Sequence, residues 1–573
     1  MTQSAAPEPP AATVDADRAR LHEMGYAQEL RRRLSWFSNF AISFSIISIL
    51  AGAITTYYLG GLAGGPRMIL LGWIVVGFFS LLVGMAMAEI VSVYPTAGGL
   101  YYWSAKLARR NGPMWSWFTG WFNLIGQIGI IASVDYALAL FIGYFVSMYD
   151  PGYRLTARGV FLIYAVVLVS HGVLNTFRVG LVRILSHVSV WWHVFGVAVI
   201  IGFLLVLPAQ REGFSFLTAW NNDTGWTNAG SGSPLPGVYV AFIGLLLAQY
   251  TITGFDASAH VSEETRDAGR SASIAIVRSI YISAIGALLL NFAMIQATPR
   301  GTFGTLILGR DGFYATGGAN ALALPIGGAG AKLLVLIAIV GQYFCGMASV
   351  TANSRMIYAF SRDGAVPGHR IWHRINPRTR TPTNSVWLGV ALALVLGSLS
   401  LVQAHEYSVA FFALAGMCVV GLYIAYGIPI FLRLTSSEFR PGDWHLGRWS
   451  RITGWTAVAW IAFVTVLFFA PPFWPFWPLT GRTVIGSGAD AVTIFHSSNF
   501  NFTGPIVLTL FALVGLWWAV SARHWFTGPQ SQGTPDELLA LEQALDAVDT
   551  DVAAAEALED AADARVTRRA RRR

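Results

Sequence analysis

Charge is scarce in this chain. Lys, Arg, Asp and Glu together make up 12% of its 573 residues, against roughly 25% in soluble globular proteins. That shortage excludes an ordinary soluble enzyme, and the high apolar content excludes a disordered chain. Cysteine is scarcer still, with Cys345 and Cys418 alone. A disulfide scaffold is excluded, and both residues lie inside apolar runs, where cysteine behaves as a small buried side chain. Lysine is nearly missing: Lys106 and Lys332 are the only two among 38 basic residues. This bias points weakly to a GC-rich genome and a bacterial membrane. The sequence also lacks a His/Cys metal pattern, a phosphate-cradling glycine loop and a nucleophile elbow. No enzyme, resident metal, cofactor or ATP-driven pump is expected, and the net charge of +8 does not read as a nucleic-acid footprint.

Apolar length is what the chain has in abundance. Apolar residues make up 54%, in stretches of about 17 to 30 residues, the length that crosses a ~30 Å hydrocarbon layer as helix. Twelve spans are expected, at 34–60, 66–93, 114–147, 159–177, 182–208, 237–260, 274–298, 328–360, 384–402, 407–433, 453–470 and 503–521. The reading is an all-α polytopic membrane protein. Residues 1–33 form a polar N-terminal tail that ends in Arg31, Arg32 and Arg33 and has no signal-peptide pattern. Lys and Arg gather on the segments that an inside N-terminus makes cytoplasmic, so both termini are expected in the cytoplasm of a cell membrane. The aromatic and proline run at 471–478 is expected at the opposite interface. In the tail at 522–573, Thr534 and Glu537 have capping-box spacing. They precede Leu538, Leu541, Leu545, Val548 and Val552 at helical spacing. A short amphipathic helix is expected there, either solvated or docked to the inner face.

Two spans carry small and β-branched residues at mid-depth: Ser48 to Thr55 in the first, Tyr250 to Ser258 in the sixth. They lie five spans apart and so point in opposite directions, as an inverted five-plus-five repeat requires. In lipid, non-helical backbone is tolerated only around a cavity or protein-filled site. Paired interruptions in corresponding helices point to a transporter's substrate site. Close helix packing is the plainer use of the same small residues.

Several stretches carry a resemblance. They are Met24 to Leu30, Ser38 to Ser45, Ala88-Glu89-Ile90 with Tyr94 to Trp103, and Thr253-Gly254-Phe255-Asp256 with Ser262-Glu263-Glu264. Ser361 to Pro367 and Arg380 to Asn384 follow. Over roughly residues 24–435 the chain resembles the amino acid/choline transporter branch of the amino acid–polyamine–organocation permeases. The resemblance implies a leucine-transporter-like fold: a first repeat at 34–208, an inverted second repeat at 237–433, and two extra helices at 453–521. It implies alternating access, with a substrate carboxylate at the amides of Ala51, Gly52, Ala53 and Ile54. Thr251, Thr253 and Gly254 would form the opposite wall and Phe255 a gate. It also nominates Ser349 and Asn353 for a sodium site, and His193, near the place of a lysine in some relatives, for a proton.

The residues themselves leave more than one role open. Asp256 within a span is costly, and could hold a cation, bind an amine, carry a proton or brace the broken helix. Asn123, Gln127 and Asp135 share a face of span three, facing either a cavity or neighbouring helices, as do Gln342, Gly346, Ser349 and Asn353 on span eight. Glu89 and the segment Tyr94 to Trp103, whose Pro-Thr-Ala-Gly-Gly run breaks helix, read as a gating element, and Glu263, Glu264, Arg266 and Arg362 are candidates for cytoplasmic gate ion pairs at the surface. The functional reading is a secondary importer of an amino acid, γ-aminobutyrate or a choline-like amine, coupled to H⁺ in preference to Na⁺. The alternatives are an exchanger without ion coupling and a nutrient sensor built on the same scaffold.

Overall fold

A computed structural model describes residues 11–177, 179–221, 237–304, 316–401, 407–469, 483–485, 492–495 and 503–547. The helices run in this order: Ala11–Glu23 (α1), Trp36–Ile46 (α2), Gly52–Thr55 (α3), Tyr57–Val91 (α4), Leu100–Leu107 (α5), Gly112–Ser147 (α6), Ala157–Thr176 (α7) and Val179–Val206 (α8). Then come Gly237–Ile243 (α9), Leu246–Thr251 (α10), Ala257–His260 (α11), Ala268–Ala297 (α12), Asn320–Ala323 (α13) and Gly328–Arg362 (α14). His369–Trp372 (α15), Thr383–Ser398 (α16), Tyr407–Thr435 (α17), Ser450–Phe469 (α18), Thr503–Val520 (α19) and Pro535–Asp546 (α20) complete the set. Among the described residues nine helices are long and apolar enough to cross a membrane. The expected twelve spans include two that are broken and one, α16, that is short.

Spans one and two differ from their expected limits. The first helix stops at Ile46 and resumes at Gly52, and α4 then runs to Val91 through a kink at Gly65, whose φ of 67° precedes Pro66. A proline cannot supply the amide that would continue the ladder. The sixth span is likewise divided into α9, α10 and α11. One element was not foreseen: Thr483–Ile485 (β1) pairs antiparallel with Val492–Phe495 (β2). Both runs are rich in β-branched residues, which favour extended backbone. The aromatic run at 471–478 lies outside the described residues.

α6 and α14 are mostly buried, whereas α7, α8 and α19 expose much of their surface. Large apolar side chains such as Leu162, Val166, Val395, Ile452 and Leu516 stand exposed on the outer helices. In water such a surface would aggregate; hydrocarbon covers it without cost. The tail helix α20 forms where expected, with Thr534 and Glu537 making the capping box. It is docked, Leu538, Leu541 and Leu545 packing on Ala27.

Candidate substrate site

The two interruptions meet. Asn39 Nδ2 donates to the Ser258 carbonyl (3.0 Å) and to Thr265 Oγ1 (2.9 Å). Ser43 Oγ donates to the Phe255 carbonyl (3.2 Å) and accepts from the Ser258 amide (2.9 Å). Further along, Gly254 packs against Ile46 and Gly52 against Thr251, and Thr56 Oγ1 donates to the Leu247 carbonyl (3.1 Å). As one partner rises from 39 to 56 the other falls from 265 to 247, so the broken helices lie antiparallel with their breaks side by side. Two glycines make this possible. Gly254 has a φ of 92°, a backbone region costly for any residue with a Cβ. A Cβ on Gly52 would stand 2.4 Å from Thr251 Oγ1.

Between the breaks is a narrow cavity, with room for about one water molecule. The first break contributes Ser48, Ala51 and Gly52, and the sixth span Tyr250, Thr251 and Thr253. Ile130 and Val134 of α6 and Cys345 of α14 complete much of the wall, with no charged side chain in it. Of the expected residues, Ala51, Gly52, Thr251 and Thr253 line the cavity. The backbone donors differ from expectation. The amides of Ala51 and Gly52 bond to the Ser48 carbonyl and that of Ile54 to the Ala51 carbonyl. Among the described residues, the amides of Ile49, Leu50 and Ala53 form no hydrogen bond.

The other expected residues, Ala53, Ile54, Gly254, Asn123, Gln127, Phe255 and Asp256, do not line the cavity. Asn123 Nδ2 and Gln127 Nε2 each donate to Asp256 Oδ2 at 2.9 Å. His260 Nε2 lies 3.2 Å from the same oxygen, and Tyr426 Oη donates to Oδ1 at 2.7 Å. All of these groups are fully or almost fully buried. The stripe of α6 is therefore an interhelix polar cluster, and its two amides serve the carboxylate of Asp256. Phe255 packs on Tyr426, ring centroids 4.8 Å apart. His260 is a member of the cluster that the sequence reading does not nominate; its i, i+4 spacing from Asp256 is the available signal.

His193 Nε2 lies 2.7 Å from Ser48 Oγ, at the first break, while its Nδ1 faces the Ser189 carbonyl at 2.8 Å. Ser349 Oγ donates to the Cys345 carbonyl of its own helix (2.9 Å). Both side-chain polar atoms of Asn353 lack a partner.

The face that holds the tails is closed by ion pairs, and these are buried, not surface pairs. Arg362 grips Glu263 at 3.0 and 3.2 Å, and Glu263 also accepts from the Ala97 amide. Arg355 holds Glu264 at 3.0 and 3.3 Å. Glu89 is apart from these; it pairs with Arg433 (2.7 Å) and accepts from the Leu446 amide and Ser450 Oγ. Beside them, Asp363 accepts from Tyr26 and Tyr101, and burial lifts its carboxyl above the usual range.

A bundle of apolar helices, two of them broken at mid-course around a shared uncharged cavity, defines the class of a helical membrane transporter. The sequence comparison then gives the family. The chain belongs to the amino acid permeases of the amino acid–polyamine–organocation superfamily, whose pattern matches residues 34–511. Amino-acid permease BAT1 of Arabidopsis thaliana is 39% identical over 533 residues, covering 90% of this chain and 97% of that one. Its homolog in Oryza sativa is 40% identical, covering 90% and 96%. A GABA-specific permease of Saccharomyces cerevisiae is 29% identical, covering 91% and 87%. These relatives are from plants and a fungus, and they lend the expected bacterial membrane no support.

Proposed function

We propose that this permease carries an amino acid or a small amine by alternating access around the cavity between the two breaks. The observation that carries the reading is the antiparallel meeting of the interrupted helices about an uncharged pocket. In this reading residues 34–208 and 237–433 are inverted five-helix repeats, 453–521 adds two helices, and both tails are cytoplasmic. A solute carboxylate is held by unpaired backbone amides of the first break, which needs no buried arginine. The relationship to a GABA-specific permease is consistent with γ-aminobutyrate among the candidates.

A proton is the better coupling ion. Support comes from His193, whose ring is bonded to the first break through Ser48; protonation turns an acceptor there into a donor. Ser349 Oγ donates to its own helix and keeps its lone pairs, so Ser349 and Asn353 carry the sodium alternative. Asp256, already served by three donors and faced by the His260 ring, is assigned the bracing of the broken sixth helix. Glu263 and Arg362 are assigned the inner gate, with Glu89 bracing it from the side.

Uptake into proteoliposomes tests the reading. Accumulation driven by a pH gradient without internal solute is the expected result. Strict dependence on preloaded solute would make the protein an exchanger. Binding without flux would make it a sensor and overturn the transport reading. A pH profile that His193→Gln leaves unmoved would remove His193 from the proton path.

A further inference from the structure

We propose that Asp135 and His171 form a second proton-binding site, set directly behind the pocket wall. The proposal rests on the permease reading above but on different residues. Asp135 of α6 and His171 of α7 are completely buried, with Oδ2 and Nδ1 3.1 Å apart. Each keeps one polar atom without any partner, Asp135 Oδ1 and His171 Nε2. Such orphaned atoms are rare in buried polar pairs and call for an explanation.

The placement supplies one. Asp135 adjoins Val134, and across from it Gly346 adjoins Cys345; both Val134 and Cys345 line the cavity. A Cβ on Gly346 would stand 2.0 Å from Asp135 Oδ1, so the free oxygen is wedged against that turn of α14. A change of charge here lies one residue behind the wall on two sides.

The surrounding groups leave that charge uncompensated. From α14, Tyr343 lies 4.4 Å from the His171 ring, its hydroxyl engaged with Ser170, and Cys345 is a free thiol. From α6 and α7 come Tyr136 and Tyr164, and Tyr250 of α10 donates to Ser133. Among the described residues no lysine, arginine or second carboxylate pairs with Asp135 or His171. With a neutral imidazole the pair carries one net negative charge in a water-poor interior. One proton taken from water makes it neutral, as imidazolium with carboxylate or as carboxylic acid with imidazole. A neutral pair is cheaper to bury than a charged one. The proton passes to water admitted at the Val134–Cys345 wall, and a solute ammonium arriving there compensates the charge left on the pair, so proton and solute occupancy are linked.

The primary test is an infrared pH titration of the purified protein with no solute present. Wild type should show a carboxyl or imidazole band change that is lost in Asp135→Asn and altered in His171→Asn. His171→Asn keeps a donor near the Nδ1 position but removes the titrating ring, so it decides the matter should Asp135→Asn fail to fold. In proteoliposomes, both variants should lose accumulation driven by a pH gradient to a greater degree than solute exchange at equal pH. Identical titrations in wild type and variants, or a pH profile of uptake unchanged in both, would overturn the proposal. Wild-type vesicles that neither accumulate nor exchange γ-aminobutyrate or any proteinogenic amino acid would instead sink the permease reading, while the infrared titration still reports on the pair.

Discussion

At the residue scale, burial decides what each charged side chain is worth. Glu263 and Arg362 are almost wholly buried, so removing one leaves the other unpaired in a poor solvent for charge. Arg362→Ala should cost about 3–5 kcal/mol, seen as a lowered thermal unfolding temperature. Replacing both by apolar residues of similar volume should recover much of the loss; equal destabilisation in the double variant would show that the pair is not the cause. Gly52 tests the cavity in the same way. Gly52→Val places atoms where Thr251 already sits, so uptake should vanish while the protein still purifies as a monodisperse species. Retained transport would mean that the solute passes elsewhere. Asp363 offers a pH test. Burial raises its carboxyl pKa, so the folded protein binds that proton more tightly than the unfolded chain. The resulting stability is complete below the ordinary value of ~4 and is lost as pH rises through the raised one. Unfolding temperature should decline across that window, and Asp363→Asn should flatten the decline.

At the scale of elements, the informative pieces are the broken helices and the two tails. The tails form a clasp. Glu542 of α20 is buried and holds Arg18 (2.5 Å), His22 (2.7 Å) and the Gln28 amide (2.6 Å). Gln532 accepts from the Ala27 amide, and its own side chain donates to Glu29. The N-terminal segment in turn pairs Leu34 with Thr265 at the end of the sixth span, and Asp17 caps α12 by accepting from the amides of Asp267 and Ala268. Glu542→Ala should therefore free α20, read as faster amide exchange over 535–546 with little change in the spans. Unchanged protection there would show that Leu538, Leu541 and Leu545 hold the helix unaided. Helical spacing announced α20, but its partner surface lies more than 500 residues away in sequence, as the Glu542 to His22 contact shows. No local pattern records such a separation.

For the whole molecule, the antiparallel meeting of the first and sixth spans organises everything else. It sets the cavity between the breaks, places α6 and α14 as its remaining walls, and brings Glu263 and Glu264 under Arg362 and Arg355. Since they contact each other, the described tail segments 11–33 and 522–547 lie on one face. Protease added outside sealed, uniformly oriented vesicles should cut both tails or neither; cleavage of one alone would refute that arrangement. If the tail-bearing face is cytoplasmic, inside-out vesicles are the ones cut.

Composition and apolar length were enough to establish a polytopic helical protein, because crossing lipid demands long apolar helices whatever their neighbours. The small residues at 48–55 and 250–258 likewise announced two breaks, because glycine and β-branched runs weaken a helix locally. Side-chain direction was beyond the reach of the chain's order. Asn123 and Gln127 share a helical face with Asp135, yet the first two turn to Asp256 and the third to His171. Which neighbour each meets depends on how α6 packs against α7, α11 and α17, and packing joins residues that sequence keeps far apart.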